Sequence, residues 1–269
     1  MDVEQTPASG GHNPPDLTPR QSQIVGIART SGIVNVDSLA EQFLVTPQTI
    51  RRDLNFLCAN HYLRRTHGGA VFNDVDANLG YQARRHIATT AKRRIGELAA
   101  NLIPEGSSLF INIGTTTEQV AEHLKNKRDL MVITNNVNVV TTLMGSTGIE
   151  IIVAGGMVRH EDSGIVGERA SDFLSQFRVD YAIIGTSAIE EDGTLCDYDY
   201  REVLAARAII EHAHSVILVA DATKFERSAP IRIADISKIQ HFVTDRRPPA
   251  AFAEACVAGN VSIHTVSSR

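Results

Sequence analysis

The sequence predicts an α/β protein in two parts, a small N-terminal helical segment and a larger parallel-sheet domain, and three observations carry the prediction. Residues 17 to 72 hold three short helical patterns followed by two short extended runs. From about residue 91 onward, β-branched apolar runs alternate with helical stretches, the rhythm of a parallel sheet with helices on both faces. The charge also changes sign between the parts. Residues 17 to 72 carry six Lys/Arg (Arg20, Arg29, Arg51, Arg52, Arg64, Arg65) against three Asp/Glu (Asp37, Glu41, Asp53), whereas residues 73 to 269 carry 20 against 25. A basic small segment ahead of an acidic large one is the asymmetry expected when only the first part approaches phosphates.

The 269 residues, 43% hydrophobic and 21% charged with a net charge of −5, exclude disorder throughout and a collagen-like repeat. No apolar run approaches the ~18 residues needed to span a bilayer. Thr6 to Asp16 is a polar Pro/Gly stretch without a basic region leading into an apolar one, so a flexible leader over 1–16 and a cytoplasmic protein are expected. Cys58, Cys196 and Cys256 stand far apart, with no CxxC pair and no histidine at ligand spacing. That argues against a disulfide framework and a cysteine-built zinc site, and neither a metal nor a cofactor is expected.

The first helix is read from Ile24, Ile27 and Ala28, with Thr18 able to cap it and Gly32 able to stop it. After a brief VNV run, Asp37 is placed as the cap of a second helix whose apolar face is Leu39, Ala40 and Phe43. Thr46 then suits an N-cap and Pro47 the first turn of a third helix, reaching to about Ala59. Its Ile50, Leu54 and Leu57 face inward, leaving Gln48, Thr49, Arg51 and Arg52 on the outer side of its opening turns. Two short helices joined by about three residues, the second opening with polar and basic side chains, form the helix-turn-helix pattern. Arginine takes guanine bidentately, glutamine pairs with adenine, and threonine meets a thymine methyl or a phosphate. Arg64 and Arg65, ahead of Gly68-Gly69, suit a β-wing that meets phosphate or the minor groove. An Arg-Arg pair alone is an ordinary solvated face; the cap, the three helices and the basic wing together point to operator DNA. The expected DNA contacts are Thr46, Gln48, Thr49, Arg51, Arg52, Arg64 and Arg65.

VTPQTIRRDLNFL followed by LRRTHGGA resembles, nearly residue for residue, the signature of DeoR-type bacterial transcriptional regulators. The resemblance implies a winged helix-turn-helix over 17–72 and a DNA-binding repressor.

Residues 73–90 are polar and Gly-broken and read as a linker, and 91–260 as an effector-binding α/β domain opened by a helix from about Ala88 to Leu102. Strands are expected at Ser108 to Ile113, Met131 to Thr134, Glu150 to Ala154, Tyr181 to Gly185, Ser215 to Ala220 and Gln240 to Thr244. Each ends on polar or glycine residues: Gly114 to Thr117, Asn135-Asn136, Gly155-Gly156, Thr186-Ser187, Asp221 with Lys224, and Asp245. Ligands of open α/β sheets sit beyond the carboxyl ends of the strands, so these residues are expected to share one crevice. Gly114 admits close backbone approach, and Thr115, Thr116 and Thr117 bring hydroxyls and N–H groups to a helix start, an anion site that Lys224 would strengthen. Neither a GxGxxG turn nor a GxxxxGK[ST] loop is present, which favours a small phosphorylated metabolite over a nucleotide.

The pieces IGTTTEQVAEHL, VITNNVNVVTTL, VAGGMVRHEDSGIVGE, FRVDYAIIG, DYDYREV and VADATKF extend the DeoR resemblance over nearly the whole chain. It implies a phosphorylated polyol or sugar as effector, glycerol 3-phosphate above others, a repressor of its utilisation genes, and self-association as dimer or tetramer. The large domain also resembles ribose-5-phosphate isomerase and related phosphosugar enzymes, so the alternative is an isomerase carrying a DNA-binding domain. In those enzymes a DGADE motif supplies two aspartates. The matching positions here are Ile184-Gly185-Thr186-Ser187-Ala188, and Cys196 to Tyr200 replaces a lysine-glycine run. Arg201-Glu202 remains, the glutamate matching the enzymes' base, and Lys224 matches a later lysine. A glutamate without groups that stabilise charge on oxygen does not complete an enediolate mechanism. No catalysis is expected, and Glu202 joins the effector residues.

Overall fold

The computed structural model describes residues 17–31, 33–60, 62–66, 68–72 and 81–266. The expected leader and residues 73–80 of the expected linker lie outside the described residues, as does the side chain of Arg64. The chain divides into two compact units, Met1–Asp76 and Ala77–Arg269.

In the first unit, α1 (Pro19–Ser31), β1 (Ile33–Asn35), α2 (Val36–Gln42) and α3 (Pro47–Ala59) precede a hairpin of β2 (Leu63–Thr66) and β3 (Gly69–Phe72). The three strands form an antiparallel sheet in the order β1-β3-β2. Ile24, Ala28, Leu39, Ile50, Leu54, Leu57 and Leu63 close one small core, the helical spacing of the sequence realised. Thr46 caps α3 by accepting the Thr49 N–H at 3.3 Å, with Pro47 in the first turn. One cap differs from expectation: Asn35, not Asp37, caps α2, accepting the Asp37 N–H at 2.8 Å. Strand β1 ends at Asn35, so the helix starts one residue later and Asp37 falls inside its first turn. The Gly-Gly of the wing has a steric cause. A Cβ at Gly69 would stand 2.0 Å from the Val34 carbonyl oxygen, and Gly68 turns at φ +81°.

The second unit opens with α4 (Tyr81–His86) and α5 (Thr89–Asn101). It continues through β4 (Ser108–Ile111), α6 (Thr115–Leu124), β5 (Leu130–Thr134), α7 (Val137–Leu143), β6 (Ile149–Val153), the hairpin β7 (Met157–Val158) and β8 (Ile165–Val166), and α8 (Glu168–Leu174). Then follow β9 (Val179–Ile184), β10 (Ala188–Ile189), β11 (Thr194–Asp197), α9 (Tyr200–Glu211), β12 (Ala213–Val219), a 3-10 helix (Ala222–Glu226), β13 (Ile231–Asp235), β14 (His241–Thr244), α10 (Ala250–Ala258) and β15 (Ser262–Thr265). Seven strands form a parallel sheet in the order β15-β14-β12-β9-β4-β5-β6. Alternate residues serve opposite faces. Leu109, Ile111, Ile183 and Ile217 pack with α5, α6 and α7 residues such as Ile95, Val120 and Val139. Phe110, Ala182, Ile184 and Leu218 pack on the other face with Val203 and Ile209 of α9 and Phe252 of α10.

Six of these strands fall where the sequence predicts them, and each runs within two residues of its expected bounds. The seventh, β15, extends the sheet past residue 260; its SIHT run is too short and polar to stand out as a strand. A side sheet, β10-β11-β13, and the β7-β8 hairpin add antiparallel pieces to the parallel plan. The expected linker 73–90 also needs correction, since α4 lies within it. Six residues form no stable helix alone. Tertiary bonds hold this one: Tyr81 Oη donates to Glu118 Oε2 at 2.7 Å and accepts from Asn138 Nδ2 at 3.0 Å. The chain order of the sheet sets the site. It runs from β4 outward through β5 and β6, then returns to β9 beside β4 and runs outward the other way through β12, β14 and β15. The β4/β9 boundary is the topological switch point, where such sheets open a crevice.

Candidate functional site

Helix α3 presents Gln48, Arg51 and Arg52 to solvent, with Thr49 half-buried beside them. Thr46 is exposed too, but its hydroxyl lies 3.0 Å from Thr49 Oγ1 and serves the cap. On the opposite side of the helix, buried Asp53 accepts from Arg20 Nε at 2.7 Å and from Gln21 Nε2 at 3.1 Å. That acid braces α1 against α3, so the helix that carries the exposed arginines is held at a fixed angle. Arg65 is exposed on β2 of the wing. The arrangement sets a basic helix surface and a basic strand on one small unit.

In the second unit, a narrow cavity sits at the switch point. Its walls are Ile113 to Thr117 after β4, Gly185 to Ser187 after β9, Val219 and Lys224 beyond β12, Asp197 of β11, Glu202 of α9 and Arg84 of α4. Gly114 begins α6 at φ +152° and no side chain caps the helix, so the N–H groups of its first turn stay open toward an anion.

The predicted residues divide. Gly114 to Thr117, Thr186, Glu202 and Lys224 are brought together. Two of their hydroxyls are already engaged. Thr117 Oγ1 lies 2.7 Å from the Asn112 carbonyl and 2.8 Å from that of Gly114. Thr186 Oγ1 lies 2.8 Å from the Ala188 carbonyl and 2.9 Å from that of Cys196. These threonines shape the wall. Asn135, Asn136, Gly155 and Gly156 are not among its lining residues. They follow β5 and β6, which lie to one side of the switch point. Asn135 Nδ2 donates to the Ile165 carbonyl at 3.2 Å, and Asn136 caps α7 and donates to Glu118 at 3.1 Å. The ends of β5 and β6 thus support a neighbouring polar network instead of the cavity. Asp245 also stands outside, accepting the Ala222 N–H at 2.8 Å and so bracing the 3-10 helix that carries Lys224.

Sequence reasoning misses Arg84 and Asp197, which line the cavity, and Arg159, which bonds to the lining Glu202; Ser187, expected with Thr186 at the end of β9, does line it. Arg159 donates through Nε to Asp162 at 2.9 Å, and its two amino groups reach Asp199 at 2.7 Å and Glu202 at 2.6 Å. Glu202 therefore points at a guanidinium. Burial, with the charge of Asp197, pushes its carboxyl up to about 7 against the pull of Arg159. Burial, joined by the charges of Arg227, Arg84 and Lys92, pushes the Lys224 ammonium down to about 7 although Asp221 opposes. Burial likewise raises Asp197, whose Oδ1 accepts from Ser187 Oγ at 3.0 Å. Such a site is primed to take up protons when a doubly negative group enters.

Residues 20–76 match the DeoR-like helix-turn-helix domain, and residues 87–246 match the DeoR C terminal sensor domain. The chain belongs to the DeoR family. This DeoR-family chain is 42% identical over 246 residues, 91% of its length and 98% of the relative's, to the glycerol-3-phosphate regulon repressor of Escherichia coli (strain K12). It is 42% identical to the protein of the same name from Haemophilus influenzae, over 85% of this chain and 89% of that one. To the HTH-type transcriptional repressor CsqR of Escherichia coli (strain K12) it is 38% identical, over 87% of this chain and 89% of that one. Among solved structures, ribose 5-phosphate isomerase from Plasmodium falciparum aligns at 15% identity and a TM-score of 0.37, over 50% of this chain and 52% of that one. That likeness is too slight to bear on function.

Proposed function

We propose that this protein is an operator-binding repressor of genes for glycerol and glycerol 3-phosphate use, released by a small phosphorylated polyol or sugar, glycerol 3-phosphate above others. One observation carries the reading: the cavity at the switch point joins the uncapped start of a ten-residue helix to a buried lysine. That combination suits a compact phosphate. The relatives' names supply the rest of the ligand, since two of them are named for the glycerol-3-phosphate regulon. The DNA partner is a double-stranded operator read by Gln48, Arg51 and Arg52 with Arg65 on the backbone, and Thr46, Thr49 and Arg64 are further proposed contacts. Paired half-sites call for at least a dimer, with a tetramer as the larger alternative. The protein acts in the cytoplasm, where operator and metabolite meet.

Calorimetric titration with glycerol 3-phosphate, ribose 5-phosphate, inorganic phosphate and glycerol tests the site. Glycerol 3-phosphate should bind most tightly and glycerol should not bind measurably; equal binding of the two excludes a phosphate-centred site. The catalytic reading draws on Glu202 and Lys224, both shifted to about 7, as a general acid and base would be. Yet Glu202 is bonded to Arg159, and Ile184 to Ala188 supply no aspartate, so the cavity binds without turnover. Ribose 5-phosphate should yield no ribulose 5-phosphate above background. Turnover abolished in Glu202→Gln reverses the assignment.

A further inference from the structure

The cavity at the switch point holds about 30 Å³, room for roughly two waters. Glycerol 3-phosphate has about ten non-hydrogen atoms, so its entry requires a wall to move. The walls differ in how firmly they are held. Ile113 to Thr117 and Gly185 to Ser187 continue two adjacent central strands of a seven-stranded sheet. Helix α4 spans six residues and is tied down by side chains: the Tyr81 hydroxyl to Glu118 and Asn138, and Lys92 Nζ to the Arg84 carbonyl. Space lies next to it. A cleft of about 570 Å³ is lined by Tyr81, Arg85, Thr89 and Lys92, and Thr115 lines both this cleft and the narrow cavity. Displacing α4 toward the cleft would join the two volumes.

Arg84 is the residue of α4 that lines the narrow cavity. Its guanidinium is largely buried, 16% exposed, and its nearest acid is Asp162 at 3.9 Å. Asp162 already receives Arg159 Nε at 2.9 Å, and buried Arg84 Nε has no hydrogen-bond partner among the described residues. A buried cation with an idle donor is costly unless an anion completes it. We propose that Arg84 is a direct ligand of the effector's phosphate, carried by a helix, α4, that shifts outward to admit the effector and then holds it.

The inference rests on the reading of this cavity as the effector site.

Calorimetry and hydrogen exchange on the full-length protein, with glycerol 3-phosphate and inorganic phosphate as probes, test it. Arg84→Ala should weaken glycerol 3-phosphate binding about ten- to hundredfold, the loss expected for a hydrogen bond to a charged group. Arg84→Lys should fall between, since it keeps the charge and loses the fork. Tyr81→Phe keeps the ring but frees the latch, and should bind about two- to tenfold more tightly. Exchange of the α4 amides should change when wild type is saturated. Undiminished binding by Arg84→Ala and Arg84→Lys, with Lys224→Ala impaired, overturns the Arg84 assignment and leaves the site standing. α4 exchange identical with and without ligand overturns the movement. A wild type that binds neither probe overturns both the inference and the site.

Discussion

Arg51 and Arg52 stand exposed five and six positions beyond the cap of α3, while Arg65 stands exposed on a wing strand, and the difference in position predicts a difference in behaviour. If Arg51 or Arg52 reads a base, its replacement by alanine removes about 1–3 kcal/mol of specific binding. Arg65→Ala should weaken cognate and scrambled duplexes alike and reduce the salt slope. Gel-shift titrations at several salt concentrations separate the two, and unchanged operator affinity in an Arg51/Arg52 double variant removes α3 from the interface. In the cavity, Glu202 is raised to about 7 and Lys224 lowered to about 7. The signs oppose. The raised Glu202 contributes stability below its ordinary carboxyl range that is lost as pH rises to 7; the lowered Lys224 contributes stability above its ordinary amine range that is lost as pH falls to 7. Their joint contribution is smallest near neutrality. A phosphate raises both, so effector binding near pH 7 should take up protons and weaken as pH rises. Calorimetry in buffers of different ionisation enthalpy reads the uptake, and heats independent of the buffer contradict it.

At the scale of elements, the wing depends on Gly69, where a Cβ would meet the Val34 carbonyl oxygen at 2.0 Å and its carbon at 3.0 Å. Both are backbone atoms of a paired strand. Gly69→Ala should cost about 1–3 kcal/mol, the range for forcing extra atoms into a packed site. Operator binding should fall while effector heats persist, because the cavity belongs to the other unit. A melting profile unchanged from wild type would show that β1 yields easily. The sequence made the regular elements legible: Thr46-Pro47 marked the start of α3, and β-branched apolar runs ending on glycine or polar residues marked six sheet strands. Asn35 and Asp37 are both good cap residues, so reading Asp37 as the cap of α2 followed a pattern that does not exclude Asn35. Helix α4 was hidden because bonds to Glu118, Asn138 and Lys92 stabilise it, and these come from distant positions. The cavity was half legible. Gly114 to Thr117, Glu202 and Lys224 were found through strand ends and a family motif. Asn135, Asn136, Gly155 and Gly156 do not line the cavity, since strand order, which decides which ends meet, is not written in any local pattern. Arg84, Asp197 and Arg159 belong to no local motif of their own and become visible only when the chain is folded.

For the whole molecule, the claim is a division of labour. One unit reads DNA, the other recognises a phosphate, and a free-energy coupling connects them. Coupling of this kind runs about 1–3 kcal/mol, and DNA must weaken effector binding by the factor by which effector weakens DNA binding. Lys224→Ala and Thr115→Val should therefore give a protein that binds its operator and ignores the effector. The measurement that reaches the claim most directly is an operator titration at fixed salt, run alone, with glycerol 3-phosphate and with glycerol. Effector at roughly 1 mM suffices, since a dissociation constant of that size corresponds to about −4.1 kcal/mol. Glycerol 3-phosphate should lower operator affinity about five- to 150-fold, and glycerol should leave it unchanged. Equal responses to the two compounds, or no response to either, would contradict the account.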